Sequence, residues 1–379
     1  MVPIGATRVH RRKRIMAKTK RTKFNKHIKT HEGEKAPLFL GPELGIIDTI
    51  NTQYPVLEEL YQLQLAQIWN EFEVDLTQDK VDMQTLPKSV TDLMVKTIMW
   101  QTVADSVAAR SIVETLGKYI TNSELMNLAT LWSFFEVIHA RTYSHIIKQT
   151  FTDPNELLQE LYEDAAIMQR SEVIVETFDN IGNLPNDASR EEIEDAIIQA
   201  FTGLFALEAI AFMSSFAVTF PIVRLDVLIG IGQLVSLICR DEVLHTRMDY
   251  EILSILKNDP KNAAMFERNA DKMKLILDSV VQQEINSSEY LFSEGREVIG
   301  LNAKRLQQYT MFVSKPVYDV LGIPFDYEVV EENPLPYMDD YTKQGTTQAA
   351  AQEVQIVNYQ IGAIADDTDD LDFDDLAFN

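Results

Sequence analysis

From about residue 53 to residue 322 the chain shows almost no alternation of apolar and polar residues, while apolar side chains return every three to four positions over very long stretches. That period lines one face of a helix and cannot line one face of a sheet, so the fold is predicted to be all-α. Helices are read at about Tyr54 to Phe72, Ser89 to Tyr119, Ser123 to Thr150, Asn155 to Asn180, Ser189 to Phe220, Val223 to Leu256, Asn262 to Phe292 and Ala303 to Leu321. Turn signals stand between them at Asp153-Pro154-Asn155, at Gly182 to Asn186, at Pro221 and at Asp259-Pro260. Helices of this length suit a large bundle better than a compact globule, and no internal repeat is visible.

Phe201 to Phe220 is long and apolar enough to span a bilayer, with Glu208 as its one charge. The neighbouring segments are amphipathic and no second such stretch exists, which favours a helix buried on most faces and no membrane. Either way Glu208 is a carboxylate in an apolar place, and an ionised one there requires a counter-charge or a metal.

Three histidines lie in this body, and two follow a glutamate by three positions: Glu136-Val137-Ile138-His139 and Glu242-Val243-Leu244-His245. On a helix that spacing puts carboxylate and imidazole on one face, able to share one metal. Asp105 and Glu208 sit in equally apolar surroundings. Four such acids on four helices, with two imidazoles, form the ligand set of a carboxylate-bridged dinuclear site in a ferritin-like long-helix bundle. Two divalent ions would neutralise its four negative charges, and oxygen with imidazole suits iron or manganese rather than structural zinc. The bland alternative, pairing with Arg or Lys, finds few basic residues in these segments.

Tyr143 falls seven residues after Glu136 on the same face, and Phe212, Phe216 and Ile238 are spaced to lie one layer from the site. A phenol beside two metals and walled by apolar groups could be oxidised to a radical and shielded; a core tyrosine with a hydrogen bond is the plainer reading. Trp100 and Trp132 read as packing residues, Cys239 as a small buried thiol and His145 as structural.

The ends differ from the body. Residues 1–31 hold eleven of the 34 Lys and Arg and no Asp or Glu, so the remainder carries 23 basic against 58 acidic groups. A body so acidic repels phosphate backbones, and no nucleic-acid partner is expected. Residues 1–38 read as a basic, disordered arm without the apolar run of a secretory signal, and 39–342 as the helical domain. In 343–379 seven Asp between Asp366 and Asp375 alternate with Leu371, Phe373, Leu376 and Phe378, as in a segment that folds on a partner. A single cysteine excludes a disulfide framework and fits a reducing cytoplasm, bacterial or that of a virus-infected host.

Asp105, Ser133 to His145, Leu207 to Phe212 and Arg240 to His245 together resemble the small, radical-generating subunit of class I ribonucleotide reductase, a likeness that runs from about Phe39 to the C-terminus. The resemblance implies that Asp105, Glu136 and His139 hold one metal and Glu208, Glu242 and His245 the other, with Glu136 and either Glu242 or Glu208 bridging. It implies two iron ions, with manganese or a mixed pair as options, and dioxygen to make a stable radical on Tyr143. Trp69 and Asp241 would link His139 to the surface, and Tyr359, with Glu353 nearby, would relay the radical. A homodimer is implied, with the tail docking on the large subunit that reduces ribonucleoside diphosphates. A ferritin-like di-iron oxidase or an iron-storage protein is the alternative.

Overall fold

The computed structural model describes residues 22–28, 35–42 and 44–343. These form helices α1 (Pro55–Leu65), α2 (Thr77–Thr85), α3 (Lys88–Ser111), α4 (Ser123–Thr150), α5 (Pro154–Glu163), α6 (Ala165–Gly182), α7 (Arg190–Ala206), α8 (Met213–Val223), α9 (Ile229–Asn258), α10 (Ala263–Leu291), α11 (Ala303–Leu321) and α12 (Asp339–Thr342). Extended pairing among the described residues is confined to the isolated bridges Phe39 with Ile120 and Val298 with Leu301. The all-α expectation holds.

Helix starts follow cap chemistry. Asn122, Asp153, Ser189 and Asn302 each turn a side-chain oxygen onto free amides of the first turn of α4, α5, α7 and α11, and Ser189 with Glu192 closes a reciprocal capping box. Gly322 ends α11 at φ 74°, a left-handed cap that a side chain would strain.

Four segments differ from the periodicity reading. The first expected helix stops at Leu65, because Asn70 and Glu73 build a side-chain turn: the Asn70 amide donates to Glu73 Oε1 (2.9 Å) and Asn70 Oδ1 accepts from Phe72 N. Trp69 therefore lies in irregular backbone before the unpredicted α2. The fourth expected helix breaks at Asp164, whose side chain caps α6 and accepts from Lys96 Nζ. Pro221 does not end its helix. It lacks an N–H, and the Ala217 carbonyl four residues earlier accepts the Tyr337 hydroxyl instead (2.6 Å). Finally α9 starts at Ile229, after Asp226 and Leu228 at positive φ, and its free amides on Gly230 and Ile231 are capped by buried Asp79 of α2. A Cβ on Gly230 would meet Asp79 Oδ2 at 2.5 Å, so this contact requires glycine.

The apolar run is continuous with α7 and α8 over Arg190–Val223, and 89% of its most apolar window is buried inside the protein. Between α7 and α8 the backbone widens to a π-helical segment, Leu207–Phe212. A second such segment, Ile112–Leu116, ends α3. The central helices α3, α4, α8 and α9 enclose the site, α1 flanks α4 and α9, and α6, α10 and α11 pack outside. At the N-terminal side Ala36 N donates to Gln53 Oε1, Leu38 and Phe39 are buried, and Phe39 sets its edge on Phe201.

Candidate metal centre

The six ligand candidates arrive on four elements: Asp105 from α3, Glu136 and His139 from α4, Glu208 from the π segment, Glu242 and His245 from α9. All six are fully buried. They form two overlapping quartets able to hold a metal ion, Asp105 with Glu136, His139 and Glu242, and Glu136 with Glu208, Glu242 and His245; within each quartet the donor atoms lie within 4.8 Å of one another. Glu136 and Glu242 belong to both, so these two could be shared between a pair of ions. His139 Nδ1 lies 2.9 Å from Glu242 Oε1 and 3.5 Å from both Asp105 Oδ1 and Glu136 Oε2, while His245 Nδ1 lies 2.8 Å from Glu136 Oε1 and 3.0 Å from Glu242 Oε2. A π bulge carries Glu208, a distortion that often marks functional positions in helices.

The donor set fits divalent metals. Both oxygens of Asp105 and of Glu208, with Glu136 Oε2 and Glu242 Oε1, are buried without a hydrogen-bond partner. Four buried acids without Lys or Arg would be strongly unfavourable as a structural device. Burial, reinforced by the neighbouring carboxylates, drives Asp105 and Glu208 well above the usual carboxylate range, though His139 partly offsets it at Asp105. Burial acts the same way on Glu242, but the neighbouring Glu208 carboxyl and the two imidazoles prevail and hold it low. His245 rises to about 9, because Glu242 and Glu136 outweigh the burial that opposes its charge. Without metal the site keeps its charge down with protons, which bound metal ions would replace.

Around this core the expected partners take definite places. Trp69 Nε1 donates to Asp241 Oδ2 (2.7 Å), and the same oxygen lies 3.2 Å from His139 Nε2. Asp241 Oδ1 takes Arg240 Nε (3.1 Å) and Nη2 (2.9 Å), and Arg240 also reaches the Gln67 carbonyl. The indole stacks on His139 at 6.2 Å. Tyr143 is fully buried with no hydrogen-bond partner for its hydroxyl among the described residues, and burial beside Asp105 and Glu242 raises it well above 10. Phe212, Phe216 and Ile238 are equally buried; Phe212 stacks on Phe216 and meets Trp100 edge-on. Cys239 is a buried free thiol, pushed up by burial. His145 meets Phe72 edge to face at 5.1 Å. Tyr359, Glu353 and the acidic tail lie outside the described residues.

Two residues were not read from the sequence as part of the site. Trp132 is more than packing: its Nε1 donates to Glu136 Oε1 (3.0 Å) and its ring lies 5.1 Å from that of His245. Its position four before Glu136 was the available signal. Asp249 is a fully buried carboxylate without a partner, four residues after His245. An apolar groove of about 570 Å³, lined by Ala209, Val243, Tyr309 and Phe312 among others, runs outside the π segment and α9, and none of the six ligand candidates lines it.

The family described as "Ribonucleotide reductase, small chain" matches residues 46–334. The ribonucleoside-diphosphate reductase 1 subunit beta of Escherichia coli O157:H7 is 28% identical over 359 residues, covering 89% of this chain and 95% of that one. Among solved structures, the ribonucleotide reductase R2 subunit from Clostridium botulinum superposes with a TM-score of 0.77 at 22% identity, over 86% of this chain and 99% of its own. The dimanganese(II)-NrdF of Streptococcus sanguinis does so at 0.65 and 18%, over 79% and 100%. With the family match spanning most of the chain and a carboxylate-histidine site at the heart of a shared helical fold, the chain belongs to the ribonucleotide reductase small-chain family.

Proposed function

We propose that this chain is the radical-generating β subunit of a class I ribonucleoside-diphosphate reductase, holding two metal ions between α3, α4, α9 and the π segment. The observation that carries this reading is the pair of overlapping quartets sharing Glu136 and Glu242, with the buried Tyr143 one turn beyond His139 and the His139–Asp241–Trp69 line leading away. When bound, the metals would supply, with dioxygen as oxidant, the power to take one electron and the phenolic proton from Tyr143, both ending in the water to which dioxygen is reduced. The chain's own residues do the rest. Apolar burial keeps the Tyr143 phenol protonated at rest and its radical from solvent, and Asp241 joins the electron path through Trp69 to a protonated, hydrogen-bonded imidazole edge. Tyr359 would take the equivalent onward to the large subunit, on which the acidic, apolar-studded tail docks.

Iron and manganese share this donor chemistry; the Streptococcus neighbour is a dimanganese protein, and the Escherichia relative is named only by its activity. A homodimer is supported by one face of α4, where Phe134 (48%) and Val137 (43%) are exposed alongside Phe72 (68%) and Ile68 (50%) of the neighbouring loop. A single buried cysteine accords with a reducing cytoplasm, and leaves the ribose chemistry to a partner with its own thiols. An iron-storage or oxidase role would not call for the Trp69–Asp241–His139 line. Metal-reconstituted protein exposed to oxygen should give a tyrosyl radical signal in electron paramagnetic resonance that Tyr143→Phe abolishes at unchanged metal content. A wild type without that signal refutes the reading.

A further inference from the structure

The two metal-bearing helices repeat a pattern with one difference. On α4 the order is Glu136, His139, Tyr143; on α9, at the same spacing, it is Glu242, His245, Asp249. Where the first half places a phenol, the second places an acid. Asp249 is fully buried and neither of its oxygens has a hydrogen-bond partner, while Arg247 nearby on α9 turns to Glu59 of α1 instead. His245 directs Nδ1 at Glu136 and Glu242, so its metal-binding edge is settled, and Nε2 is left buried without a partner. His139 has no such deficit, since Asp241 takes its Nε2. Metal-bound imidazoles need an acceptor on the far nitrogen to fix ring and tautomer.

We propose that Asp249 is the positioning carboxylate of the second metal position, accepting the Nε2–H of His245 in the metal-loaded protein as Asp241 does for His139. This rests on the metal reading of the six ligands, and its test separates the two. Manganese(II) is titrated into the metal-free full-length chain and the free ion is counted by electron paramagnetic resonance. Wild type should bind two ions per chain. Asp249→Asn should bind one with unaltered affinity and the other 10- to 100-fold more weakly, the usual loss when an outer carboxylate is removed. Because burial pushes the unpartnered Asp249 carboxyl well above the usual carboxylate range and so keeps it uncharged without metal, the amide replaces it at little cost and the metal-free variant should melt no lower than wild type, which a merely structural Asp249 would not allow. Asp249→Glu should recover part of the lost affinity. Two unchanged affinities, or an equal loss at both positions, overturn the role of Asp249 alone; a wild type that binds no pair of ions overturns it together with the metal reading.

Discussion

Asp241 is the most heavily engaged carboxylate beside the centre, and Asp241→Asn tests the line from His139 to Trp69. Its Oδ2 accepts Trp69 Nε1 at 2.7 Å and faces His139 Nε2 at 3.2 Å, while Oδ1 accepts twice from Arg240 at 2.9 and 3.1 Å. An amide offers one acceptor. Turned toward Trp69, its NH₂ meets the guanidinium; turned the other way, it meets the indole N–H. Either orientation leaves buried donors facing each other, at about 1–3 kcal/mol, and weakens the pairing with Arg240 as well, so the metal-free protein should lose about 2–4 kcal/mol. Trp69→Phe removes one donor and leaves Oδ2 with His139, at a cost of about 1–2 kcal/mol. In the double variant the amide can face Arg240 with its oxygen without opposing an indole, so the two losses should fall short of their sum by about 1 kcal/mol. Urea midpoints of the four metal-free proteins, at one protein concentration, measure this. In the mixed assay with a large subunit, Asp241→Asn should keep the Tyr143 radical and lose most turnover. Losses additive within about 0.5 kcal/mol, or full turnover, would refute the coupled line.

Other consequences are read from the same contacts. His245, at about 9 in the fold against 6.5 when free, stabilises the metal-free protein fully below pH 6.5 and loses that contribution as pH rises to 9; metal-loaded protein should lack this decline, and loading should release protons, visible as calorimetric enthalpies that vary with the buffer. Arg170 forms a buried two-bond pair with Glu284 (2.6 and 2.7 Å) over the Trp100 ring, so Arg170→Met should lower stability by about 3–5 kcal/mol in thermal or urea unfolding, and Glu284→Met added to it should recover much of that. Tyr337→Phe strands the Ala217 carbonyl beneath Pro221 and should cost about 1–2 kcal/mol. Phe134→Asp should shift the chain toward monomer in sedimentation analysis if the exposed α4 face is the dimer surface.

What the sequence disclosed and what it hid follow from the range of the forces involved. The Glu-x-x-His pairs were legible because helix periodicity is local: three residues fix the face on which Glu136 and His139, or Glu242 and His245, project. Asp105 and Glu208 were legible by contrast, as acids in runs where an unpaired charge is costly. Hidden features depend on partners distant in sequence. Nothing near Ile229 announces that Asp79 will cap α9, and nothing in Asn155 to Asn180 says that Lys96 will meet Asp164 and break the helix there. The π segment at Glu208 is likewise a product of packing, since its residues would all serve an ordinary helix. Periodicity overlooked Trp132 for another reason: a buried indole looks like core until its N–H is traced to Glu136.

The centre is built from two similar halves, and its direction comes from where they differ. Each half gives a glutamate and histidine from one long helix and a carboxylate from an earlier element, Asp105 on α3 and Glu208 on the π segment, and the shared Glu136 and Glu242 join them. Symmetric halves would offer no preferred path for charge. Here only His139 is tied through Asp241 to an indole, and only its helix carries a tyrosine one turn further; the other half has an acid at that place and no indole on its far nitrogen. Oxidising equivalents formed between the metals would thus find an oxidisable ring on one side only. A metal cluster that serves storage gains nothing from such a division, whereas one that must oxidise a single residue and hand the result outward depends on it.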